Sequence, residues 1–215
     1  MNDSKTFLIL GGTGMVGQQL VSQALASSQV ARIVAPTRKN LKPHNKLSNP
    51  IMDYNKLPNS AEWWRADAVL CALGTTIKQA GSKQQFRHVD YQYVMQSAQL
   101  ARSVGTSCFV LNSSLGADAS ASNFYLKVKG ELERDLSKLG FESLTIIRPS
   151  LLDAGDRPEA RFGEQIGLWF SKRLSVIIPK RYLPISTENV ARAMLSAALE
   201  AKPGLHIIES EHLHY

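Results

Sequence analysis

Thr6–Leu20 reads TFLILGGTGMVGQQL, with Gly11, Gly12, Gly14 and Gly17 set between an apolar run and a helical pattern. Phe7 to Leu10 reads as a short buried strand, and Val16, Leu20, Val21, Ala24 and Leu25 recur at helical spacing beyond it. A turn this tight uses backbone conformations that a Cβ disfavours. It also leaves free N–H groups at a helix N-terminus, where the helix dipole attracts an anion. The spacing Gly11-x-x-Gly14-x-x-Gly17 is one residue wider at its first gap than the commoner G-x-G-x-x-G. In this reading Gly11 makes the turn, Gly14 lets a diphosphate approach the backbone, and Gly17 lets the helix pack on the strand. The glycines alone leave open a loop that merely turns the chain.

The 215 residues, 44% of them hydrophobic, suit a single globular domain with a sizeable core and make disorder an unsuitable reading. No apolar run approaches a membrane span, and MNDSKTF enters a strand without a signal-peptide layout, so the expected compartment is the cytoplasm and no membrane is expected as partner. Cys71 and Cys108 both lie in apolar, strand-like segments, which favours buried reduced thiols over a metal cage or disulfide framework; with five scattered histidines, no metal is expected. The net charge of +7 raises nucleic acid as a partner. Its distribution argues otherwise: residues 1–112 hold 12 Lys and Arg against 5 Asp and Glu, while residues 113–215 hold 13 of each. The excess accompanies the glycine turn and is dispersed, without interleaved aromatics for base stacking, so no nucleic-acid partner is expected.

Strand-like and helix-like segments then alternate. Strands read at ARIVAP, NPIMD, DAVLCAL, SCFVLNS, SLTIIRP and GLHIIES, and helices at 14–27, 84–104, 123–139 and 187–201. This pattern predicts a doubly wound α/β domain with a parallel sheet. Residues 151–186 depart from it with Pro, Gly, charges and the short amphipathic GEQIGLWFSKRL. A segment there, past the C-terminal strand ends, is placed to cover a ligand crevice. Equally, Trp169 and Phe170 could fill core or a subunit contact. Arg157, Arg161, Lys172 and Arg173 could serve an anionic substrate or only solvent, so the substrate is not named by this segment.

Past the second strand, IVAPTRKN offers Arg38 and Lys39 where a site for a bare ribose diol would carry an acidic residue. A guanidinium fork suits a 2′-phosphate, so the expected cofactor is NADP(H) in preference to NAD, against the alternative of an ordinary solvated loop. In NFYLKVKGELERDL, Tyr125 and Lys129 stand four apart on one helical face, and FVLNSSLGAD ends a strand with Asn112, Ser113 and Ser114. A phenol is a poor acid–base group at neutral pH, but an adjacent ammonium favours the phenolate and lets it exchange a proton with a substrate oxygen. A serine hydroxyl facing the same point would orient a carbonyl. Alone, Tyr-x-x-x-Lys is a common surface pattern; a strand-end serine eleven residues earlier, behind a dinucleotide turn, makes it less accidental.

With GGTGMVG, TRK, CALGTT, FRHVDYQYV, NSSLGAD, YLKVKGELE and IIRPSLL in family order, the chain resembles the short-chain dehydrogenase/reductase superfamily over almost its whole length. It is similar to the atypical or extended branch, and most to the subgroup of the Tat-interacting oxidoreductase and its bacterial relatives. The resemblance implies that Gly11, Thr13, Gly14, Met15 and Val16 hold the pyrophosphate, with Gly17 counted among the cofactor-binding residues of the same turn, and that Arg38, with Lys39 beside it, holds the 2′-phosphate. Asp53 would contact adenine. Leu73, Gly74 and Thr75 would line the cofactor ribose, Lys129 would bind the nicotinamide ribose, and Pro149 and Leu151 would lie near the nicotinamide. Ser114, in preference to Ser113, falls at the family's serine, with Tyr125 as acid or base and Lys129 tuning it. Asp90 stands where many extended members carry asparagine, so that amide's role does not transfer. The C-terminal region is shorter than in sugar-nucleotide members, which implies a smaller substrate.

Two functions from different classes follow. One is an NADP-dependent oxidoreductase moving a hydride between nicotinamide and a small carbonyl or alcohol. The other is a binding module in which NADPH occupancy controls contact with a protein partner, without turnover. The Ser–Tyr–Lys set favours the enzyme, because a pure sensor has no use for an acid–base tyrosine.

Overall fold

A computed structural model describes residues 4–153 and 179–214. Seven strands form one parallel sheet in the order β3-β2-β1-β4-β5-β6-β9. They are β1 (Lys5–Leu10), β2 (Val30–Val34), β3 (Leu47–Ser48), β4 (Ala68–Cys71), β5 (Cys108–Asn112), β6 (Ser143–Arg148) and β9 (Gly204–Glu209). A second sheet pairs β7 (Leu152–Asp153) with β8 (Ile185–Ser186). The predicted doubly wound α/β architecture is the one observed.

Both faces of the main sheet are covered, which is why its central strands read as unbroken apolar runs. Phe7 and Ile9 face α1 (Met15–Ala26) and α6 (Thr187–Glu200), packing with Leu20, Ala24, Val190 and Met194. Leu8 and Leu10 point the other way, onto Val94 and Ala98 of α4 (Val94–Ser103) and Leu132 and Leu136 of α5 (Phe124–Leu136). The alternation of β1 thus divides the core into two layers. Each large side chain fully buried there stabilises the fold by roughly 1.5 to 3 kcal/mol.

After β1 the chain builds β2 and β3 on one side, then crosses to β4, β5, β6 and β9 on the other. Loops leaving β1 and β4 therefore diverge, and the crevice between their C-terminal ends is where such sheets bind ligands.

The structure corrects the reading in two places. Residues 49–53 carry only an isolated bridge, Thr37 to Ile51, while the ladder itself lies at Leu47–Ser48. Pro50 has no N–H to continue a ladder. The single helix expected at 84–104 is α3 (Lys83–Arg87), a π-helical segment at His88–Tyr93, and α4. A π turn shifts the side-chain register of a helix, and here Asp90 and Tyr93 are both buried. The short helix α2 (Ile77–Ala80) and the β7–β8 pair were not anticipated. Of the 151–186 segment, residues 154–178, with Trp169, Phe170, Arg157, Arg161, Lys172 and Arg173, lie outside the described residues.

Cys71 and Cys108 are buried free thiols; burial pushes the Cys71 thiol up to about 12, which leaves it unreactive at neutral pH. Among the described residues no helix is long and apolar enough to cross a membrane, and no cluster of three or more His, Cys, Asp or Glu is placed to hold a metal.

One glycine fixes how α5 meets the loop after β5. A Cβ on Gly130 would stand 2.1 Å from the carbonyl carbon of Asp118 and 2.2 Å from the Ala119 nitrogen, both backbone atoms. Gly81 has φ of +79° but open space around it. Gly130→Ala should therefore cost about 3 kcal/mol or more through overpacking. Gly81→Ala should cost only about 1 to 2 kcal/mol, from the left-handed backbone. Urea unfolding midpoints of the two variants check the order.

Candidate functional site

The glycine turn is built by close approach. Gly11 has φ of +83°, and a Cβ on it would lie 2.7 Å from backbone atoms of Ala72 and Leu73 beyond β4. A Cβ on Gly17 would stand 2.0 Å from the Gly11 carbonyl oxygen, so the helix lies directly on the turn. Gly14 differs: its Cβ would meet only the Gly11 oxygen, at 3.4 Å, a distance the protein tolerates. Nothing in the chain's own packing demands glycine there, which fits a position kept bare for a ligand.

Gly14 is also the N-cap of α1, and it supplies no side-chain cap; the first turn holds no acidic residue. By contrast Asn123 caps α5 through Leu126 N–H and Ser186 caps α6 through Asn189 N–H, each at 3.1 Å. The first N–H groups of a helix lack intrahelical partners, so the start of α1 at Met15, Val16 and Gly17, which no side chain caps among the described residues, has donors to offer. Thr13, Gly14 and Met15 are exposed. These features suit a diphosphate.

At one end of the crevice, Arg38 and Lys39 are exposed just past β2. The loop carrying them is fastened by Asn49, whose Nδ2 donates to the Ala35 carbonyl at 2.6 Å and to Thr37 Oγ1 at 2.7 Å. Asp53 is exposed, and its Oδ1 accepts from the Asn55 backbone at 2.9 Å and the Asn55 side chain at 3.0 Å. Those two hydrogen bonds, the backbone one foremost, hold its carboxyl below the usual carboxylate value, with Lys56 and Arg38 adding to the effect. Asn55 Oδ1 in turn accepts from Tyr93 at 2.7 Å and lies 3.1 Å from His88 Nε2. A polar floor thus connects the Asp53 turn to the π segment.

At the other end, Lys129 Nζ lies 2.7 Å from Asp90 Oδ1 in a buried ion pair. Asp90 Oδ2 accepts the Thr75 N–H at 2.8 Å, tying the loop after β4 to the same carboxylate. Burial by itself would lower the Lys129 pKa, but the Asp90 carboxylate, with Tyr125 and Cys71 nearby, carries it above the ordinary lysine value. Tyr125 is half-buried, its ring 5.4 Å from that of Phe86 and its centroid 5.9 Å from Lys129 Nζ. Its hydroxyl makes no hydrogen bond among the described residues. Leu73 is partly buried and Gly74 exposed beside this group.

The two candidate serines have different surroundings. Ser113 is buried and donates to Glu133 Oε1. Glu133 is held by Arg148 at 2.6 Å, and Arg148 reaches Glu209 at 2.9 Å. Ser113 is therefore committed to a network joining α5, β6 and β9. Among the described residues Ser114 makes only a long 3.4 Å contact with the Leu115 carbonyl, which leaves its hydroxyl available to a ligand. Its loop is pinned by Leu115 N–H to the Pro149 carbonyl at 2.8 Å and by Asp118 N–H to the Leu126 carbonyl at 3.2 Å, alongside Tyr125. Leu151 O accepts from Ile185 N at 2.8 Å.

The structure thus brings Tyr125, Lys129, Leu73, Gly74 and Thr75 to one end of the crevice and Arg38, Lys39 and Asp53 to loops at the other. Sequence reasoning did not single out Glu133, Arg148, Asn55 or Gly130. Glu133 had a usable signal, since it falls four residues after Lys129 on the face of Tyr125.

Residues 11–201 match the family model described as NAD(P)H-binding. The chain is similar to Protein HTATIP2 of Rattus norvegicus, 33% identical over 97% of this chain and 87% of that protein. It is also similar to Protein FMP52, mitochondrial, of Candida albicans, 37% identical over 75% of each. The cytoplasmic expectation is thus not one that the name of this fungal relative shares. In fold it is similar to MoeE5 in complex with UDP-glucose and NAD, with a TM-score of 0.71 at 16% identity over 97% of this chain and 79% of that one. A putative NAD-dependent epimerase/dehydratase from Bacillus halodurans gives a TM-score of 0.70 at 18% identity, covering 97% of both chains.

The serine geometry generates a stability test. Ser113→Ala removes a buried hydrogen bond to a carboxylate and should cost about 1.5 to 3 kcal/mol, whereas Ser114→Ala should stay within about 0.5 kcal/mol of the parent. Chemical denaturation of both variants reads the difference.

Proposed function

Since the chain belongs to the NAD(P)H-binding family, we propose that it is an NADP-dependent oxidoreductase of the short-chain dehydrogenase/reductase type acting on a small carbonyl or alcohol. The observation that carries this reading is the placement of Tyr125, whose hydroxyl makes no hydrogen bond among the described residues, beside Lys129 and the post-β4 loop, at the crevice where α1 starts without a side-chain cap.

In this reading the cofactor is held by residues of the loops that border the crevice. Thr13, Gly14, Met15, Val16 and Gly17 hold the diphosphate through the turn and the first N–H groups of α1, with Gly11 shaping the turn. Arg38, with Lys39, holds the 2′-phosphate, and Asp53 contacts adenine. Leu73, Gly74, Thr75 and Lys129 serve the nicotinamide ribose, with Pro149 and Leu151 near the ring. When bound, the nicotinamide supplies or accepts the hydride.

The remaining chemistry belongs to the chain. In the reducing direction Tyr125 gives its phenolic proton to the substrate oxygen, and in the oxidising direction the phenolate takes it back. Ser114 donates a hydrogen bond to the same oxygen and so orients the carbon for attack. A role in sensing alone would leave both hydroxyls without a task.

Two measurements test the reading. A 2′-phosphate carries about −2 charge at neutral pH, and a hydrogen bond to it from a charged donor contributes roughly 1.5 to 3 kcal/mol, at least tenfold in affinity. Calorimetry should show NADPH bound more tightly than NADH, with Arg38→Ala weakening NADPH about tenfold and leaving NADH unchanged. In NADPH oxidation with a panel of small aldehydes and ketones, Tyr125→Phe should abolish turnover while NADPH affinity persists. A Tyr125→Phe protein with the parental rate would exclude the mechanism, and equal losses for both cofactors would remove Arg38 from its role.

A further inference from the structure

We propose that Asp90 is a positioning residue for Lys129: its buried carboxylate joins the ammonium of α5 to the Thr75 N–H of the post-β4 loop, and thereby keeps that ammonium charged and aimed at the crevice. The inference deepens the reading of Lys129 as a cofactor residue and rests on it in its second test only.

The geometry gives Asp90 two tasks at once. Its side chain is 1% exposed and that of Lys129 6%, so neither charge has water to rely on. One carboxylate oxygen is 2.7 Å from Lys129 Nζ and the other accepts Thr75 N–H at 2.8 Å. The loop lies directly on the pair: a Cβ on Gly74 would be 3.1 Å from Asp90 Oδ1 and 3.7 Å from Lys129 Nζ. An ammonium has three donors, so the one turned to Asp90 leaves two for other acceptors. The π-helical turn at His88–Tyr93 sets the register that sends residue 90 inward.

The other titratable groups facing Lys129 cannot replace Asp90. From α5 itself there is the Tyr125 phenol, and from β4 the Cys71 thiol, which burial keeps protonated. Glu133, one turn further along α5, is engaged by Arg148 and Ser113. Asp90 is thus the one carboxylate that the structure pairs with this ammonium among the described residues.

The sign of the effect follows. Burial favours the neutral amine, and the Asp90 charge opposes it and prevails. An amide at position 90 keeps the size and an acceptor for Thr75 N–H but removes the charge, so burial alone then acts on Lys129. In Asp90→Asn the lysine should discharge at least about two pH units below an ordinary lysine, while in the parent it should stay charged through about pH 10.5.

The test is a pH titration of the lysine ε-carbon resonance in the full chain, with the Lys129 signal assigned by its loss in Lys129→Met. Near-ultraviolet circular dichroism reports folding, and Asp90→Ser serves if Asp90→Asn does not fold. An early titration in the neutral variant is the expected result; a Lys129 that titrates as in the parent overturns the proposal. The second arm measures NADPH affinity between about pH 7 and 9. It should be flat in the parent and fall severalfold with rising pH in Asp90→Asn; a flat, parental profile in the variant would count against the positioning role. If the parent itself fails to bind NADPH, the cofactor reading fails, and the resonance titration still decides the role of Asp90.

Discussion

The backbone of the turn at Gly11 passes so near the end of β4 that no side chain fits between them. That approach is the constraint on which the rest depends. It sets the width of the crevice at the switch point, fixes where α1 begins, and through the equally close contact of Gly17 with Gly11 determines the angle at which α1 leaves the sheet. The close packing at the start of α1 thus rests on two missing methyl groups. Gly14 differs, since a Cβ there would meet only the Gly11 oxygen at an ordinary contact distance, so the packing of the turn does not itself require that glycine.

The opposite end is organised by one face of α5. Tyr125, Lys129 and Glu133 recur every four residues, so they line up along the helix, and the partners of the last two come from different parts of the chain. Lys129 meets Asp90 from the π turn, and Glu133 meets Ser113 from the end of β5 and Arg148 from β6. Removing one partner of a buried pair leaves an uncompensated charge, so any displacement of α5 from these partners is penalised. Gly130, on the same helix, lets the post-β5 loop lie flat against it. The polar contacts and the steric one act on the same few residues, and together they hold Tyr125 and the Ser114 loop side by side.

Much of this was legible in the sequence, for reasons that can be named. The strands are buried on both faces and so appear as continuous apolar runs, and the glycine turn announces itself by composition. The Tyr125–Lys129 spacing is a property of one helix and needs no tertiary information. What could not be read is what depends on contacts across long separations. Asp90 and Lys129 are 39 positions apart, and nothing local marks them as partners. The π turn has no compositional signature, so 84–104 reads as one uninterrupted helix. Pro50 argues against a strand at 49–53, whereas the apolar Ile51 and Met52 beside it are what make the segment read as one. The distinction between Ser113 and Ser114 likewise required Glu133 in place.

The small β7–β8 pair has a different consequence. Leu152 lies opposite Ile185 and Asp153 opposite Ser186, so the chain departs from the main fold and rejoins it at neighbouring points. An excursion with adjacent ends can be lengthened, shortened or exchanged at little entropic expense, since doubling such a loop costs only about 0.6 kcal/mol. The sheet's register would be untouched by such an exchange. The junction therefore makes the fold modular in evolution: one α/β frame can take on inserts of different length at this seam.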